Sequence, residues 1–392
     1  MLNISIISYN RDFILKLSRG EFMSNKLRAG IVGATGMVGQ RFACLLENHP
    51  WFEVTVLAAS KRSAGKSYKE AVGDKWKMDE PMPKKYEDML VMDSDDIDAI
   101  GGKVDFVFCA VSLNKEDTKK LEEKYAKNEI PVVSNNSAHR HTDDVPMIIP
   151  EINGEHVKII EAQRKRLGTK RGFIAVKPNC SIQSYVPALN ALKEFGLEKV
   201  VVSTYQAISG AGKTFNDWPE MIDNVIPYIG GEEEKSEIEP LKIWGKIEGD
   251  KIVDAKSPVI SAQCVRVAVA NGHLATISVK FKNKPAKEQI IEKWNSYKAD
   301  DVVLSLPSAP KQFIRYMEEP DRPQTNLDRD YEGGMGISMG RLREDVIFDY
   351  KFVGLSHNTL RGAAGGAVLS AEYLKATGYL TADRKSTRLN SS

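Results

Sequence analysis

Leu27-Arg-Ala-Gly-Ile-Val-Gly33-Ala-Thr-Gly36-Met-Val-Gly39 is a short apolar run that ends in three glycines at a spacing of three. Leu27 to Val32 has strand character, and the residues after the turn place Phe42, Leu45 and Leu46 on one apolar helical face. A glycine turn between a strand and a helix lets backbone N–H groups approach a phosphate at the helix N-terminus. The spacing is GxxGxxG rather than GxGxxG, so Thr35 occupies the usual second glycine position. Short glycine-rich turns occur in many loops; here the strand before and the helix after carry the reading.

Outward from this unit, strands alternate with helices. Phe52 to Ala59 is a second strand and ends in Ser60-Lys61-Arg62-Ser63. In a dinucleotide fold that strand end faces the adenosine ribose, where an acid suits NAD. Two hydroxyls and two cations there suit a 2′-phosphate, although an ordinary solvated basic loop fits the same residues. Val104 to Val111 reads as a buried parallel strand, with Cys109 in its core. The amphipathic stretch Lys115 to Asn128 predicts a helix, and Ile130 to Ser134 a further strand. This alternation predicts an α/β domain with a doubly wound, Rossmann-like parallel sheet. Asn135-Asn136-Ser137-Ala138-His139-Arg140-His141 then follows a strand C-terminus, where such sheets bind ligands. Its two histidines lack a third ligand nearby, so no metal is expected.

The chemistry concentrates at Lys177-Pro-Asn179-Cys180-Ser-Ile-Gln183. Gly172 to Val176 is an apolar strand, and Ser181 to Phe195 has apolar residues at helical spacing, which puts Cys180 on a strand-to-helix turn. Helix N–H groups and the helix dipole would favour thiolate there and could hold an oxyanion. The competing reading is a small buried hydrophobe, yet a polar Pro-Asn-Cys-Ser turn is a poor place to bury one. Beyond it the texture changes to longer alternating strands at Lys199–Ala207, Ala262–Ala270, His273–Lys282 and Val346–Gly354. Asn271-Gly272 predicts a hairpin between two of them. Thr214–Ile229 and Ala286–Lys298 are expected as helices, giving an α+β domain with a mixed or antiparallel sheet. Asn358 to Leu374 is a small-residue helix suited to close packing against the first domain.

The chain has 392 residues, 55 basic against 53 acidic, for a net charge of +2. That near balance gives no reason to invoke nucleic acid or a membrane surface, and no apolar run reaches the ~20 residues of a membrane span. Four scattered cysteines without a CxxC pair point to a reduced, cytoplasmic protein. Residues 1–22 and 381–392 read as extensions outside the fold.

Gly33-Ala-Thr-Gly36, Pro178-Asn-Cys-Ser181, Gln206-Ala-Ile-Ser-Gly-Ala-Gly212 and Cys264-Val-Arg-Val-Ala-Val-Ala-Asn-Gly-His273 occur in one order. With Glu232-Glu-Glu-Lys235, Asp321-Arg-Pro-Gln324 and His357-Asn-Thr-Leu-Arg-Gly-Ala-Ala364, the set resembles the archaeal and fungal branch of aspartate-semialdehyde dehydrogenases. The resemblance covers nearly everything from Met23 to Leu380. It implies NADPH-dependent reduction of 4-phospho-L-aspartate to L-aspartate 4-semialdehyde and phosphate through a cysteine thioester. It also implies an NADP-binding domain at 24–157 and 357–380, a catalytic and dimerisation domain at 158–356, and a homodimer or homotetramer.

Carried over residue by residue, the resemblance makes Cys180 the nucleophile, His273 the acid/base and Gln206 the residue positioning the acyl group. Arg266 would grip the substrate carboxylate and Glu232 meet the amino group, with Asn179 also at the substrate. Lys235, Arg140 and Asn136 fit the phosphate site. Gly33, Thr35, Gly36, Met37, Val38, Ser60, Arg62, Ser63, Ser209, Gly210 and Asn358 fit the cofactor. The alternatives are malonyl-CoA reductase of the same fold, the more distant N-acetyl-glutamyl-phosphate reductase, and an NADP-binding regulator without turnover. One feature resists the resemblance: in a straight Asn271-Gly272 hairpin, Arg266 would lie ~13 Å along the strand from His273, too far for a four-carbon substrate to span.

Overall fold

The computed structural model describes residues 26–383, so the expected extension 1–22 and all but three residues of the expected tail lie outside the described residues. The glycine turn behaves as its sequence predicts. Strand β1 (Leu27–Val32) enters the first sheet, and a helix, Met37–Leu46, leaves the turn with Phe42 and Leu46 buried. Phe42 stacks on Phe108 with ring centroids 4.5 Å apart, which seats the helix on the sheet. The sheet also holds β2 (Phe52–Ala59), β3 (Val91–Asp93), β4 (Phe106–Cys109), β5 (Val132–Ser134) and β6 (Ile174–Val176). All pair in parallel in the order 3-2-1-4-5-6, which puts the strand-order switch between β1 and β4 beside the glycine turn.

Two features of this sheet were not foreseen. β3 is three residues long, too short for a periodicity to show. β6 pairs with β5, so the first sheet runs past the expected boundary at residue 157 as far as Val176. The nucleotide sheet thus delivers the chain directly into the Cys180 turn. The helix Ala364–Ala376 is buried along nearly its whole length and packs on β5 and on Met37–Leu46, as its small residues allow.

Glu122, on the helix Lys115–Lys127, is fully buried under β5. Its Oε1 accepts from Ser134 Oγ at 2.5 Å, while Oε2 has no hydrogen-bond partner. Burial pushes this carboxyl up to about 7. The folded state therefore binds the proton more tightly than the unfolded chain, and stability is lost as pH rises through that window. Glu122→Gln is expected to leave stability near pH 5 little changed and to raise it at pH 8. The gain is up to about 1.4 kcal/mol per pH unit crossed. Urea unfolding at both pH values checks this; an equal change at the two would refute it.

The second sheet is mixed. Its strands are β7 (Leu197–Gln206), β8 (Val225–Ile226), β11 (Val259–Val267), β12 (His273–Phe281), β13 (Ile314–Met317), β14 (Ile337–Glu344) and β15 (Tyr350–Ser356), in the order 13-14-15-12-7-11-8. Strands β9 (Lys246–Glu248) and β10 (Lys251–Val253) form a separate hairpin.

The expected hairpin at Asn271-Gly272 does not exist. β11 runs parallel to β7 and β12 antiparallel to it, so β7 lies between them. Gly272 does turn the chain, at φ +98, but the segment before it crosses the end of β7. There Val269 and Ala270 accept from the N–H groups of Ile208 and Ser209.

Other expectations also fail locally. The helix expected over Thr214–Ile229 is irregular chain with a single 3-10 turn, Pro219–Met221, and the short strand β8. The helix expected over Ser181–Phe195 breaks into a 3-10 turn, Ser181–Ser184, a short helix, Val186–Asn190, and a second 3-10 turn, Lys193–Phe195. Pro187 sits in the first turn of that second piece, where its missing N–H is harmless. Val346 is exposed in the turn before β15 instead of starting a strand. β14 and the helix Glu232–Ile243 were not anticipated. The helix opens with three glutamates and contains Pro240, so its sequence shows little apolar stripe.

Candidate active site

The Cys180 turn is held by a buried ion pair. Arg140 Nη1 donates to Glu239 Oε1 at 2.9 Å, Arg140 Nε to the Lys177 carbonyl at 3.0 Å, and Arg140 Nη2 to the Asn135 carbonyl at 3.1 Å. Glu239 Oε2 in turn accepts the Asn179 backbone N–H at 2.6 Å. Breaking such a pair leaves an uncompensated buried charge, so the turn has little freedom to move.

Next to the turn, Asn179 Nδ2 donates to both Glu232 oxygens at 3.0 Å. Gln206 Nε2 reaches Glu232 Oε2 at 3.2 Å and Lys235 Nζ reaches Oε1 at 2.8 Å. Burial alone would raise the Glu232 carboxyl, but Lys235 and these hydrogen bonds hold it below its ordinary value. It stands as a carboxylate inside a polar cage.

The topology resolves the distance between Arg266 and His273. The two side chains reach Ala207, at the end of β7, from its opposite flanks. Arg266 Nη1 donates to the Ala207 carbonyl at 2.7 Å, and His273 Nδ1 accepts the Ala207 N–H at 3.1 Å. In the neutral ring this leaves the proton on Nε2, which lies 3.4 Å from Cys180 Sγ. A Cβ on Gly210 would come within 2.8 Å of Arg266 Nη1 and 3.1 Å of His273 Nε2, so a side chain there would push against both.

Burial, and then the Arg266 charge, lower His273 to about 3, so its ring is neutral at physiological pH. Burial, and then Glu232, push the Cys180 thiol up, with Lys177, Arg140 and Arg266 opposing. The helix dipole expected to lower it is weak, because only a four-residue 3-10 turn follows.

Sγ opens on a cavity of about 270 Å³. Met37 and Val38 from the glycine-turn helix form one wall, and Glu232, Lys235, Arg140 and Asn179 another. Ser209, Gly210 and Asn358 close it, with Thr359, Gly362 and Ala363 alongside. A larger open cleft of about 860 Å³, around His141, Asp143, Arg166 and Lys251, holds none of the expected site residues. Among the described residues no three His, Cys, Asp or Glu side chains are placed to share a metal ion.

The glycine turn fits a dinucleotide phosphate. Gly33 sits at φ +90, and a Cβ there would lie 2.3 Å from the Ala110 carbonyl oxygen. Gly39 packs as tightly against the Gly33 oxygen. Gly36 caps the ten-residue helix with no side-chain hydrogen bond, so the first-turn N–H groups stay available to an anion.

Residues 28–160 match the family model described as semialdehyde dehydrogenase, NAD binding domain, and residues 189–361 the one described as semialdehyde dehydrogenase, dimerisation domain. The aspartate-semialdehyde dehydrogenase of Archaeoglobus fulgidus is 44% identical over 347 residues, covering 88% of this chain and 97% of its own. That of Saccharomyces cerevisiae is 44% identical over 368 residues, covering 90% and 99%. The crystal structure of the Candida albicans aspartate-semialdehyde dehydrogenase with NADP superposes with a TM-score of 0.81 at 40% identity, over 91% of this chain and 100% of that one.

The chain belongs to the aspartate-semialdehyde dehydrogenase family.

The residues expected at the site differ in how the structure places them. Asn136 does not line the cavity: its Nδ2 donates to the Val111 carbonyl at 2.6 Å, and the neighbouring Asn135 takes the lining position. Lys235 is already paired with Glu232, and Arg140 spends three of its donors on the Cys180 turn, so neither is an uncommitted phosphate ligand. Asn358 reaches the cavity with its amide engaged, donating to Ser209 Oγ and accepting the Gly272 N–H, both at 2.8 Å. Ser60, Arg62 and Ser63 follow the end of β2, outside the cavity. Glu239 and Lys177 were not singled out, because a buried carboxylate or lysine carries no motif.

Proposed function

We infer that the enzyme reduces 4-phospho-L-aspartate to L-aspartate 4-semialdehyde and phosphate, reversibly and with NADPH, as a step of amino-acid biosynthesis. The observation that carries this reading is the Cys180–His273 pair, 3.4 Å apart, beside a cavity walled by the glycine-turn helix and by Glu232. The Cys180 thiolate attacks the acyl carbon, the C–O bond to phosphate breaks, and its electron pair leaves on phosphate, forming a thioester. Bound NADPH supplies the hydride to that carbon. The carbonyl then re-forms and the C–S bond returns its electrons to sulfur, with the His273 Nε2–H hydrogen-bonding the departing sulfur.

The caged Glu232 carboxylate suits the substrate ammonium, Arg266 its carboxylate, and Gln206 the acyl group. Asn179 orients Glu232. The remaining donors of Arg140, with Lys235 and Asn135, suit the departing phosphate. A charged cavity of about 270 Å³ does not suit the long CoA tail of malonyl-CoA. Assaying 4-phospho-L-aspartate and malonyl-CoA side by side tests the reading, which fails if only the thioester is reduced.

The Ser60–Ser63 turn carries the cofactor preference. Its exposed Ser60 and Arg62 and its half-buried Ser63 can donate to a 2′-phosphate, each charge-assisted bond being worth about 1.5–3 kcal/mol. A marked preference for NADP over NAD is therefore expected, reduced by Arg62→Ala or Ser60→Asp. Steady-state comparison of both cofactors decides it; equal use of NAD and NADP by the wild type would sink the assignment.

Val201, Tyr205 and Val259 leave an apolar face of β7 and β11 exposed. Together with the match to a dimerisation domain, this supports a homodimer or homotetramer built across that face. Analytical ultracentrifugation of wild type and Val201→Glu tests it, since an unchanged mass in the variant removes the face from the interface. No helix of the described residues is long and apolar enough to cross a membrane, and the described cysteines are all unpaired, in keeping with work in the cytoplasm.

A further inference from the structure

Lys177, three residues before Cys180, is buried to 3% exposure, where an ammonium without a counter-charge is costly. Each neighbouring guanidinium on this side has its own carboxylate. Arg140 is bonded to Glu239, and Arg361 makes two bonds to Glu151 at 2.7 and 2.6 Å. Glu239 is committed on both oxygens, to Arg140 and to the Asn179 N–H. Among the described residues Lys177 has no carboxylate partner, and its Nζ donates to the Pro178 carbonyl.

Two glycines of one segment leave room for the Lys177 and Cys180 side chains. A Cβ on Gly366 would meet Lys177 Cε at 3.3 Å and Cδ at 3.4 Å, and a Cβ on Gly362 would meet Cys180 Cβ at 2.8 Å. Those glycines are four residues apart, so the two side chains lie against successive turns of the same segment.

We propose that Lys177 is a positioning residue whose buried ammonium is the counter-charge of the Cys180 thiolate. The inference rests on Cys180 as the nucleophile. It explains why a thiol pushed up by burial and by Glu232 can ionise at all: the negative charge it gains is the one Lys177 lacks. The charged and titratable groups around Cys180 are Glu232, Lys177, Arg140, Arg266 and His273. Of the opposing cations, Lys177 has the largest influence on the thiol. Burial and the nearby Arg140 in turn lower Lys177 itself to about 7, so its own charge is marginal until the thiolate forms.

The test follows alkylation of Cys180 by iodoacetamide against pH, read by mass spectrometry of the Cys180 peptide, in wild type and Lys177→Met. The alkylation midpoint is expected to rise by about one unit, with the rate at pH 7 falling roughly tenfold. NADP affinity should be unchanged, and kcat/KM should recover as pH is raised. A midpoint that coincides with wild type in the folded variant overturns the proposal. Lys177→Gln, which keeps a donor for the Pro178 carbonyl, stands in if Lys177→Met does not fold. Failure of both to fold assigns Lys177 a structural role and overturns it too. An active Cys180→Ala would instead overturn the nucleophile reading, which the alkylation midpoint does not depend on.

Discussion

Cys180→Ala is expected to lower turnover by at least about 10⁴-fold while leaving the fold and NADP affinity close to wild type. The thioester requires a sulfur, and no other described cysteine can replace it. Cys109 is buried in β4, Cys264 in β11, and Cys44 lies on the helix behind the glycine turn. Loss of the Sγ atom opens little space, since Cys180 is partly accessible at the cavity. The turn itself is held through Lys177, Asn179, Arg140 and Glu239, none of which the substitution touches. Cofactor affinity by fluorescence and steady-state turnover on the purified variant check both halves. Turnover within tenfold of wild type would end the thioester mechanism for this chain.

His273→Asn is expected to lower kcat by roughly 10²–10⁴-fold. An asparagine oxygen can still accept the Ala207 N–H, so the end of β7 stays in place, but nothing then approaches the sulfur as Nε2 does at 3.4 Å. The pH dependence sharpens the test. A group lowered to about 3 is neutral at every pH above that value, so the free enzyme's kcat/KM should show no acid limb from His273 between pH 5 and 7. An imidazole at its ordinary value of ~6.5 would produce one. An acid limb near 6.5 in the wild type that disappears in His273→Asn would contradict the burial argument.

The glycine turn, its flanking strand and helix, and the Cys180 turn were all legible in the sequence, because each is a local object. Turn glycines, a short apolar run and a polar nucleophile loop declare themselves within about ten residues. The pairing of Cys180 with His273 came from an ordered set of motifs, not from periodicity. What the sequence hid has one physical character. Apolar alternation says which face of β11 or β12 is buried, but backbone N–H and C=O groups bond any neighbour alike, so alternation does not name the neighbour. Asn271-Gly272 therefore read as a hairpin, while the folded chain threads β7 between the two strands. The helix Glu232–Ile243 was equally invisible: its buried glutamates are stabilised by partners distant in the chain, Arg140 and Asn179, and not by a local apolar stripe. The sequence by itself determined the nucleotide-binding half, the family and the kind of chemistry. Only the tertiary structure decided that Arg266 and His273 meet at Ala207, that Arg140 braces the cysteine turn, and that Asn135, not Asn136, reaches the cavity, because these depend on contacts across 25 to 99 residues of chain.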